Sequence, residues 1–199
     1  MNTLFPFINP RKEWKQVNLD EEFRKNKNLD MKNIEDQIKL LKTVSENDTF
    51  YTFGGFREDR SMLWEGFEGD NINMIHLGVD FNNLELGDIV ASLSDGTIID
   101  ILVDTTPFNG WGTKIIVEDD NFYYLYGHLM NPFVKKGEKI KKGHFLGVIA
   151  SPEKNGGWFP HLHLQVMNKK ELNVNIREVD GYEFVKGSIK GVVNPMEIL

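Results

Sequence analysis

The chain has 199 residues, 40% of them hydrophobic and 27% charged, which fits a single soluble globular domain with a substantial extension. Its formal net charge of −7 argues against a nucleic-acid partner, because proteins that bind nucleic acids usually present a basic face to the phosphates. The absence of cysteine excludes disulfides and thiolate metal ligands, and no window reaches the roughly 18–20 apolar residues that span a bilayer.

The first 60 residues are predicted to form a helical and irregular extension that packs on the rest of the chain. Apolar residues recur at spacings of three and four from Met31 to Val44, which predicts an amphipathic helix. Asp30 is its expected N-cap, and its apolar stripe is expected to pack against the outside of a sheet.

The N-terminal stretch MNTLFPFINPRKEW bears on where the protein acts. It lacks a basic start followed by an uninterrupted apolar run, so we expect no Sec-type signal peptide. The sequence as it stands therefore predicts a cytoplasmic location. A periplasmic or extracellular location is expected instead if a signal is missing from this chain or if export follows another route.

From Phe50 onward the sequence is typical of an antiparallel β domain. Short runs rich in Val, Ile, Phe and Tyr alternate with turns that contain glycine. The stretch VKKGEKIKKGHFLG is punctuated by glycines and predicts a hairpin of short strands. Strands are predicted at 89–93, 96–103, 112–118, 122–128, 147–150 and 161–167. The predicted fold class is mainly β, with residues 1–60 as a small helical extension and residues 61–199 as one antiparallel core domain.

The stretch FPHLHLQV places two histidines one residue apart in an apolar strand. Successive side chains of a strand point to opposite faces, so His161 and His163 share one face while Leu162 and Leu164 occupy the other. Taken alone, the pair fits either two buried histidines bonded to backbone carbonyls or two groups beside one metal ion.

Two further motifs supply groups of the same chemistry. In HLGVD, His76 and Asp80 are four residues apart with Gly78 between them, so a bend can aim an imidazole and a carboxylate at one ion. In YGHL, His128 ends an aromatic strand directly after a glycine. With His163 added, the set His, Asp, His has the three protein ligands of a catalytic zinc site, whose fourth position is left for water.

These motifs together resemble those of a known family. HLGVD (76–80), YGHL (126–129) and HLHLQV (161–166), in this order, are similar to the H-x-x-x-D, single-His and H-x-H motifs of the LytM/lysostaphin-type zinc metallopeptidases, peptidase family M23. The resemblance extends over roughly residues 74–168. It implies a LytM-like β core in that part of the chain.

The resemblance also implies which residues carry the chemistry. One Zn²⁺ per chain is expected, bound by His76, Asp80 and His163. His128 and His161 are expected to stand beside the metal as catalytic groups, one as general base and one stabilising the oxyanion. We assign the base to His161 and the oxyanion contact to His128, although the sequence is compatible with the reverse.

Three side chains are candidates for supporting roles. Gln165 stands where many relatives have glutamate, and its amide is predicted to orient a metal ligand. Residues 50–64 are predicted to pack along one rim of the cleft, with Arg57 or Arg60 clamping a substrate carboxylate. Surface ion pairs are the alternative for both arginines.

Two aromatic residues are weaker candidates for substrate contact. Tyr126 can donate a hydrogen bond to substrate, and a core tyrosine is the alternative. Trp158, just before the strand with the two histidines, either forms a wall of the cleft or packs under the site.

The function implied by the resemblance is that of a zinc-dependent endopeptidase. Its expected substrates are peptide bonds of peptidoglycan crosslinks or related peptides of glycine and D-amino acids. One alternative is a non-catalytic M23-like binding or activator module, which the presence of all five histidine and aspartate positions disfavours. Another is a zinc amidase or carboxypeptidase that acts on soluble peptides.

Overall fold

The computed structural model describes residues 1–64, 74–104, 106 and 110–199. Its helices are α1 (Leu19–Lys25), α2 (Ile34–Val44) and α3 (Ser61–Trp64), with 3₁₀ turns at Ile176–Glu178 and Pro195–Glu197. Its strands are β1 (Trp14–Gln16), β2 (Tyr51–Gly54), β3 (Ile75–His76), β4 (Val79–Asn82), β5 (Ile89–Ala91), β6 (Gly96–Asp104), β7 (Gly112–Glu118), β8 (Phe122–Met130), β9 (Lys139–Ile140), β10 (Phe145–Ile149), β11 (Leu162–Asn168), β12 (Tyr182–Glu183) and β13 (Val192–Val193). The fold is mainly β, as predicted. No helix in the described ranges has the length and apolar character needed to cross a bilayer.

Most of these strands pair into one large, mainly antiparallel sheet. Its order is β1-β2-β4-β11-β8-β7-β6-β9, with β10 paired to β5 and β8, and β13 paired to β11. β3 and β12 form a separate two-stranded pair. The strands that carry Asp80, His163 and His128 are β4, β11 and β8, which are neighbours in the middle of the sheet.

Side chains of β11 divide between two faces as the sequence predicted. Leu162, Leu164 and Val166 are fully buried in the main hydrophobic cluster. His163 and Gln165 alternate with them and point to the opposite face, where they are buried as well. The strand is therefore covered on both faces, and its polar side chains must find partners inside the protein.

The N-terminal extension contributes two strands to the sheet. β1 pairs in parallel with β2, and β2 pairs antiparallel with β4 so that Gly54 lies opposite Asp80. β1 has three residues and β2 has four, and Tyr51 and Thr52, adjacent in β2, are both buried. Such short strands lack the alternating pattern that predicts a strand from sequence.

Helix α2 begins later than the sequence predicted. Asn33, not Asp30, is the N-cap, and its side-chain oxygen accepts hydrogen bonds from the backbone N–H of Glu35 and Asp36 at 2.8 and 3.3 Å. The carboxylate of Asp30 instead accepts from the N–H of Lys32 at 2.9 Å, which closes a turn before the helix.

Helix α2 also packs against a different partner from the one expected. Leu40, Leu41 and Val44 lie in a second hydrophobic cluster with Phe23 of α1 and Phe159, just before β11. The helix therefore covers the segment that leads into β11, and does not lie on the outside of the sheet.

The glycine-punctuated stretch before β11 supplies β9 and β10. β9 pairs with β6, and β10 pairs with β5 and β8, rather than with each other. Gly137 and Gly143 adopt φ angles of 86° and 83° at the turns on either side of β9.

Replacing the N-cap of α2 tests its observed start. Asn33→Ala is expected to lower the free energy of unfolding by about 1 kcal/mol, because two backbone N–H groups lose their acceptor. Asp30→Ala is the matched control and should lower it by less. The measurement is chemical denaturation followed by circular dichroism, and a larger effect at Asp30 would contradict the assignment.

Candidate active site

Strand pairing brings His76, Asp80 and His163 together. β4 pairs with β11 so that Asp80 lies directly opposite His163, and β3 places His76 just before β4. The turn between β3 and β4 requires a glycine, because a Cβ on Gly78 would lie 2.6 Å from the imidazole of His163. The residue type at the centre of HLGVD therefore follows from the close packing of this turn against β11.

These three side chains form a tight, buried cluster. Nε2 of His76 lies 3.0 Å from Nδ1 of His163. Oδ1 of Asp80 lies 3.3 Å from that nitrogen of His76 and 3.1 Å from that of His163. In the part of the chain that the structure describes, these three side chains form a group that could hold a metal ion.

Hydrogen bonds at the far ring nitrogens assign the tautomers of both histidines. Nδ1 of His76 lies 3.0 Å from the carbonyl oxygen of Gly55, which can only accept, so this nitrogen carries the proton and donates it. Nε2 of His163 likewise donates to Oε1 of Gln165 at 3.2 Å. The two ring nitrogens that face each other across the cluster are therefore the unprotonated ones.

This arrangement points three acceptor atoms at one place without a donor between them. Two imidazole lone pairs and a carboxylate oxygen repel one another unless a cation stands among them. In a tetrahedral site with bonds of about 2.0–2.1 Å to zinc, the ligand atoms are about 3.3 Å apart. The observed separations of 3.0, 3.1 and 3.3 Å fit such an ion.

Burial and neighbouring charges shift the pKa values of the cluster in opposite directions. Burial alone would raise the pKa of Asp80, but the groups around its carboxylate, His76 and His163 and then Arg60, hold this pKa well below its usual value. Burial lowers the pKa of His76, and attraction to Asp80 offsets only part of that effect. An ionised carboxylate beside a neutral imidazole is the protonation state that metal binding requires.

His128 and His161 stand next to the cluster without joining it. Their ring centroids are 4.4 Å apart, and the ring of His128 lies 6.2 Å from that of His163. Nδ1 of His161 donates to the carbonyl of Phe159 at 2.8 Å, whereas Nδ1 of His128 is buried without a hydrogen-bond partner in the described part of the chain.

Both of these histidines are neutral at ordinary pH. Burial lowers the pKa of His161 to about 4. Burial, together with the neighbouring His161 and His163, holds the pKa of His128 well below its usual value. Each imidazole therefore offers one N–H donor and one acceptor nitrogen.

Trp111, which the sequence analysis did not single out, packs on the same group of histidines. Its ring stacks on His128 with centroids 5.5 Å apart and an interplanar angle of 19°. It also meets His163 edge to face at 5.3 Å and 80°. A Cβ on Gly127 would lie 2.6 Å from the indole, so the glycine of YGHL makes room for it.

The part of the sequence that matches a known family contains all five histidine and aspartate positions. Residues 74–176, slightly more than half of the chain, match the family model of peptidase family M23. The chain belongs to peptidase family M23. It is therefore a peptidase, and hence a hydrolase, and the resemblance drawn from the three motifs is confirmed.

Several solved structures are similar to this M23 peptidase. The catalytic domain of the antimicrobial peptidase lysostaphin from Staphylococcus simulans is 25% identical, with 67% of this chain and 88% of that chain covered and a TM-score of 0.48. The catalytic domain of EnpA, a prophage-encoded M23 protein from Enterococcus faecalis, is 21% identical, with 60% and 82% covered and a TM-score of 0.45. A zinc-containing peptidase from Vibrio cholerae is 28% identical, with 48% and 28% covered and a TM-score of 0.42. A search of curated proteins gave no match.

Both arginines proposed as clamps in this M23 peptidase are paired with carboxylates of the chain itself. Arg57 pairs with the buried Glu183, and 27% of its side chain is exposed. Nη2 of Arg60 lies 3.1 Å from Glu58 and 3.5 Å from Asp80, and only 3% of its side chain is exposed. A clamp for a substrate carboxylate at either position would have to break one of these internal pairs.

The remaining candidates take three different positions. Tyr126 is fully buried in the main core, and its hydroxyl accepts a hydrogen bond from the N–H of Leu93 at 3.0 Å, so it has no surface with which to contact a substrate. Trp158 is partly buried and packs with the second hydrophobic cluster, as in the packing alternative. Gln165 contacts His163 through the hydrogen bond that assigns the tautomer of that histidine.

Proposed function

We propose that this M23 peptidase is a zinc-dependent endopeptidase that cleaves peptide bonds in peptidoglycan crosslinks or in related peptides of glycine and D-amino acids. The observation that carries the proposal is the convergence of three buried acceptor atoms, on His76, Asp80 and His163, with no donor between them. Peptide hydrolysis follows from the family, and the cell-wall origin of the substrate follows from the motif resemblance.

The donor set favours zinc among the common metals. Two imidazole nitrogens and one carboxylate oxygen form a three-ligand set of the kind found in catalytic zinc sites, whereas magnesium and calcium prefer oxygen ligands throughout. Zinc bound there would activate water and polarise the scissile carbonyl as a Lewis acid. Gln165 supports the site by accepting the Nε2 proton of His163, which keeps Nδ1 available as a ligand.

His161 is suited to move a proton. Its Nδ1 donates to the carbonyl of Phe159, which fixes the ring and leaves Nε2 as the acceptor nitrogen. A neutral imidazole in this orientation can take a proton at Nε2 from the attacking water and pass it to the leaving amine.

His128 is suited to stabilise the oxyanion. Its buried Nδ1 has no partner among the described residues, and its ring is held by stacking on Trp111. A preorganised imidazole N–H beside the reacting carbonyl stabilises the charge that develops on its oxygen. The base and oxyanion roles are thus divided between two rings in contact.

Removal of a ligand tests the metal site. The wild-type protein is expected to hold one zinc ion per chain, and His163→Ala should lose most of it because a three-ligand site is left with two. His144→Ala is the matched control, since His144 lies in an exposed turn outside the cluster. Metal content is measured by atomic emission after gel filtration, and full zinc occupancy in His163→Ala would overturn the ligand assignment.

Loss of catalysis without loss of metal tests the two unligated histidines. His128→Ala and His161→Ala are each expected to keep zinc but to lower kcat by about 10²–10⁴-fold, the usual range for general acid–base and oxyanion groups. Turnover and zinc content are measured on the same samples. Wild-type turnover in both variants would remove them from the mechanism, and loss of zinc in either would make that residue a ligand.

Product analysis tests the substrate class. Zinc-loaded protein is incubated with purified peptidoglycan, with soluble muropeptides and with a pentaglycine peptide, and the products are identified by mass spectrometry. Cleavage inside a crosslink or inside the glycine peptide is the expected result. Release of single terminal residues would indicate a carboxypeptidase, cleavage between sugar and peptide an amidase, and zinc binding without products a non-catalytic module.

A further inference from the structure

A segment outside the matched family region contacts two of the three proposed ligands. Residues 54–60, GGFREDR, precede the region 74–176 that matches family M23. Gly54 lies opposite Asp80 in the pairing of β2 with β4. The backbone of the segment is tied to His76, whose N–H donates to the carbonyl of Glu58 at 2.9 Å and whose carbonyl accepts from the N–H of Arg57 at 2.9 Å.

The carboxylate of Asp80 faces two different groups with its two oxygens. Oδ1 faces the ring nitrogens of His76 and His163, and Oδ2 lies 3.5 Å from Nη2 of Arg60. Arg60 is almost completely buried, so its charge is placed there at a considerable desolvation penalty. With Oδ2 paired to Arg60, the carboxylate presents Oδ1 to the two imidazoles.

Glu58 links this pair to the other ligand. Its Oε2 lies 3.1 Å from Nη2 of Arg60, and its Oε1 accepts the N–H of Gly55 at 2.9 Å. The carbonyl of Gly55 in turn accepts the proton of Nδ1 of His76. An unbroken series of contacts therefore runs from Asp80 through the segment to His76.

At position 55 this series of contacts requires a glycine. Its φ angle is +105°, and a Cβ there would lie 2.6 Å from Nδ1 of His76 and 3.0 Å from Nη2 of Arg60. Any other residue would push the imidazole and the guanidinium away from the positions that they occupy.

We propose that Arg60 is a positioning residue for metal binding. It holds Oδ2 of Asp80 so that Oδ1 is presented to the metal, and Glu58 couples it to the Gly55 carbonyl that orients His76. The proposal rests on the metal site of the proposed function. It gives Arg60 an internal role in place of a substrate clamp.

The test is the zinc affinity of Arg60 variants, measured by competition with a chromogenic chelator. Arg60→Met, which keeps much of the volume but removes the charge, should weaken zinc binding by about 10–100-fold, the usual effect of removing a residue that orients a ligand. Arg60→Lys keeps the charge with a single donor group and should fall between Arg60→Met and the wild type. Arg11→Met is the matched control at an exposed arginine and should bind zinc like the wild type.

Two further readouts separate positioning from general destabilisation. The absorption spectrum of the Co²⁺ form reports ligand geometry and should change in Arg60→Met but not in Arg11→Met, while the melting temperature of the apoprotein reports folding. Wild-type zinc affinity and an unchanged cobalt spectrum in folded Arg60→Met would overturn the proposal, as would tighter binding, which would make Arg60 only a charge that repels the cation. If Arg60→Met does not fold, Arg60→Lys decides: weaker zinc binding supports the proposal and wild-type affinity overturns it.

This experiment is independent of peptide hydrolysis. A wild-type protein that binds zinc but cleaves none of the substrates would contradict the proposed reaction and leave the role of Arg60 to be decided by affinity. A wild-type protein that binds no zinc would overturn the metal site and the positioning role together.

Discussion

The site depends on the register of three neighbouring strands. His163 on β11 lies opposite Asp80 on β4 on one side and opposite Gly127 on β8 on the other. Because side chains alternate between faces, a slip of one residue would turn His163 into the core and bring a leucine into the cluster. Leu162 and Leu164 oppose such a slip, since each contributes about 1.5–3 kcal/mol by being buried in the core. The hydrophobic face of β11 therefore fixes the polar face.

The buried charges around the site are a second constraint on it, beside the packing. Asp80 and Glu58 share one guanidinium, that of Arg60, and the imidazole of His76 beside them has a lowered pKa. Two carboxylates and one guanidinium leave one negative charge in a region where unpaired charge is costly. Under the proposed function, a divalent cation at the cluster would more than neutralise this charge and would couple metal binding to the stability of this part of the fold.

The side chains that meet at the candidate site could be predicted from the sequence because they lie in short motifs. The spacing of HLGVD, the single histidine of YGHL and the alternation in HLHLQV identified all five side chains, and β6, β7 and β8 lie close to their predicted positions. Gln165 could be predicted too, because it shares a face of β11 with His163. In each case the informative residues are near one another along the chain.

The contacts that hold these side chains in place could not be predicted in the same way. The carbonyl that fixes His76 belongs to Gly55, and the guanidinium behind Asp80 belongs to Arg60, both about twenty residues upstream. No periodic pattern links positions at that distance, so a charged stretch before a motif is equally compatible with surface ion pairs and with a buried pair. Trp111 was missed for the same reason, since its role depends on Gly127 in the adjacent strand.

The N-terminal extension supports both halves of the site. It holds Asp80 through β2 and His76 through the residues that follow β2, and through α2 it reaches the segment before β11. There the side-chain oxygen of Gln37 accepts the N–H of Phe159 at 3.2 Å, while the carbonyl of Phe159 accepts the proton of His161 at 2.8 Å. The same peptide segment is thus fixed by the helix on one side and orients the imidazole of His161 on the other. Because these contacts reach the proposed metal ligands and the proposed base from different elements, the extension is built into the scaffold of the candidate site rather than placed on a finished domain.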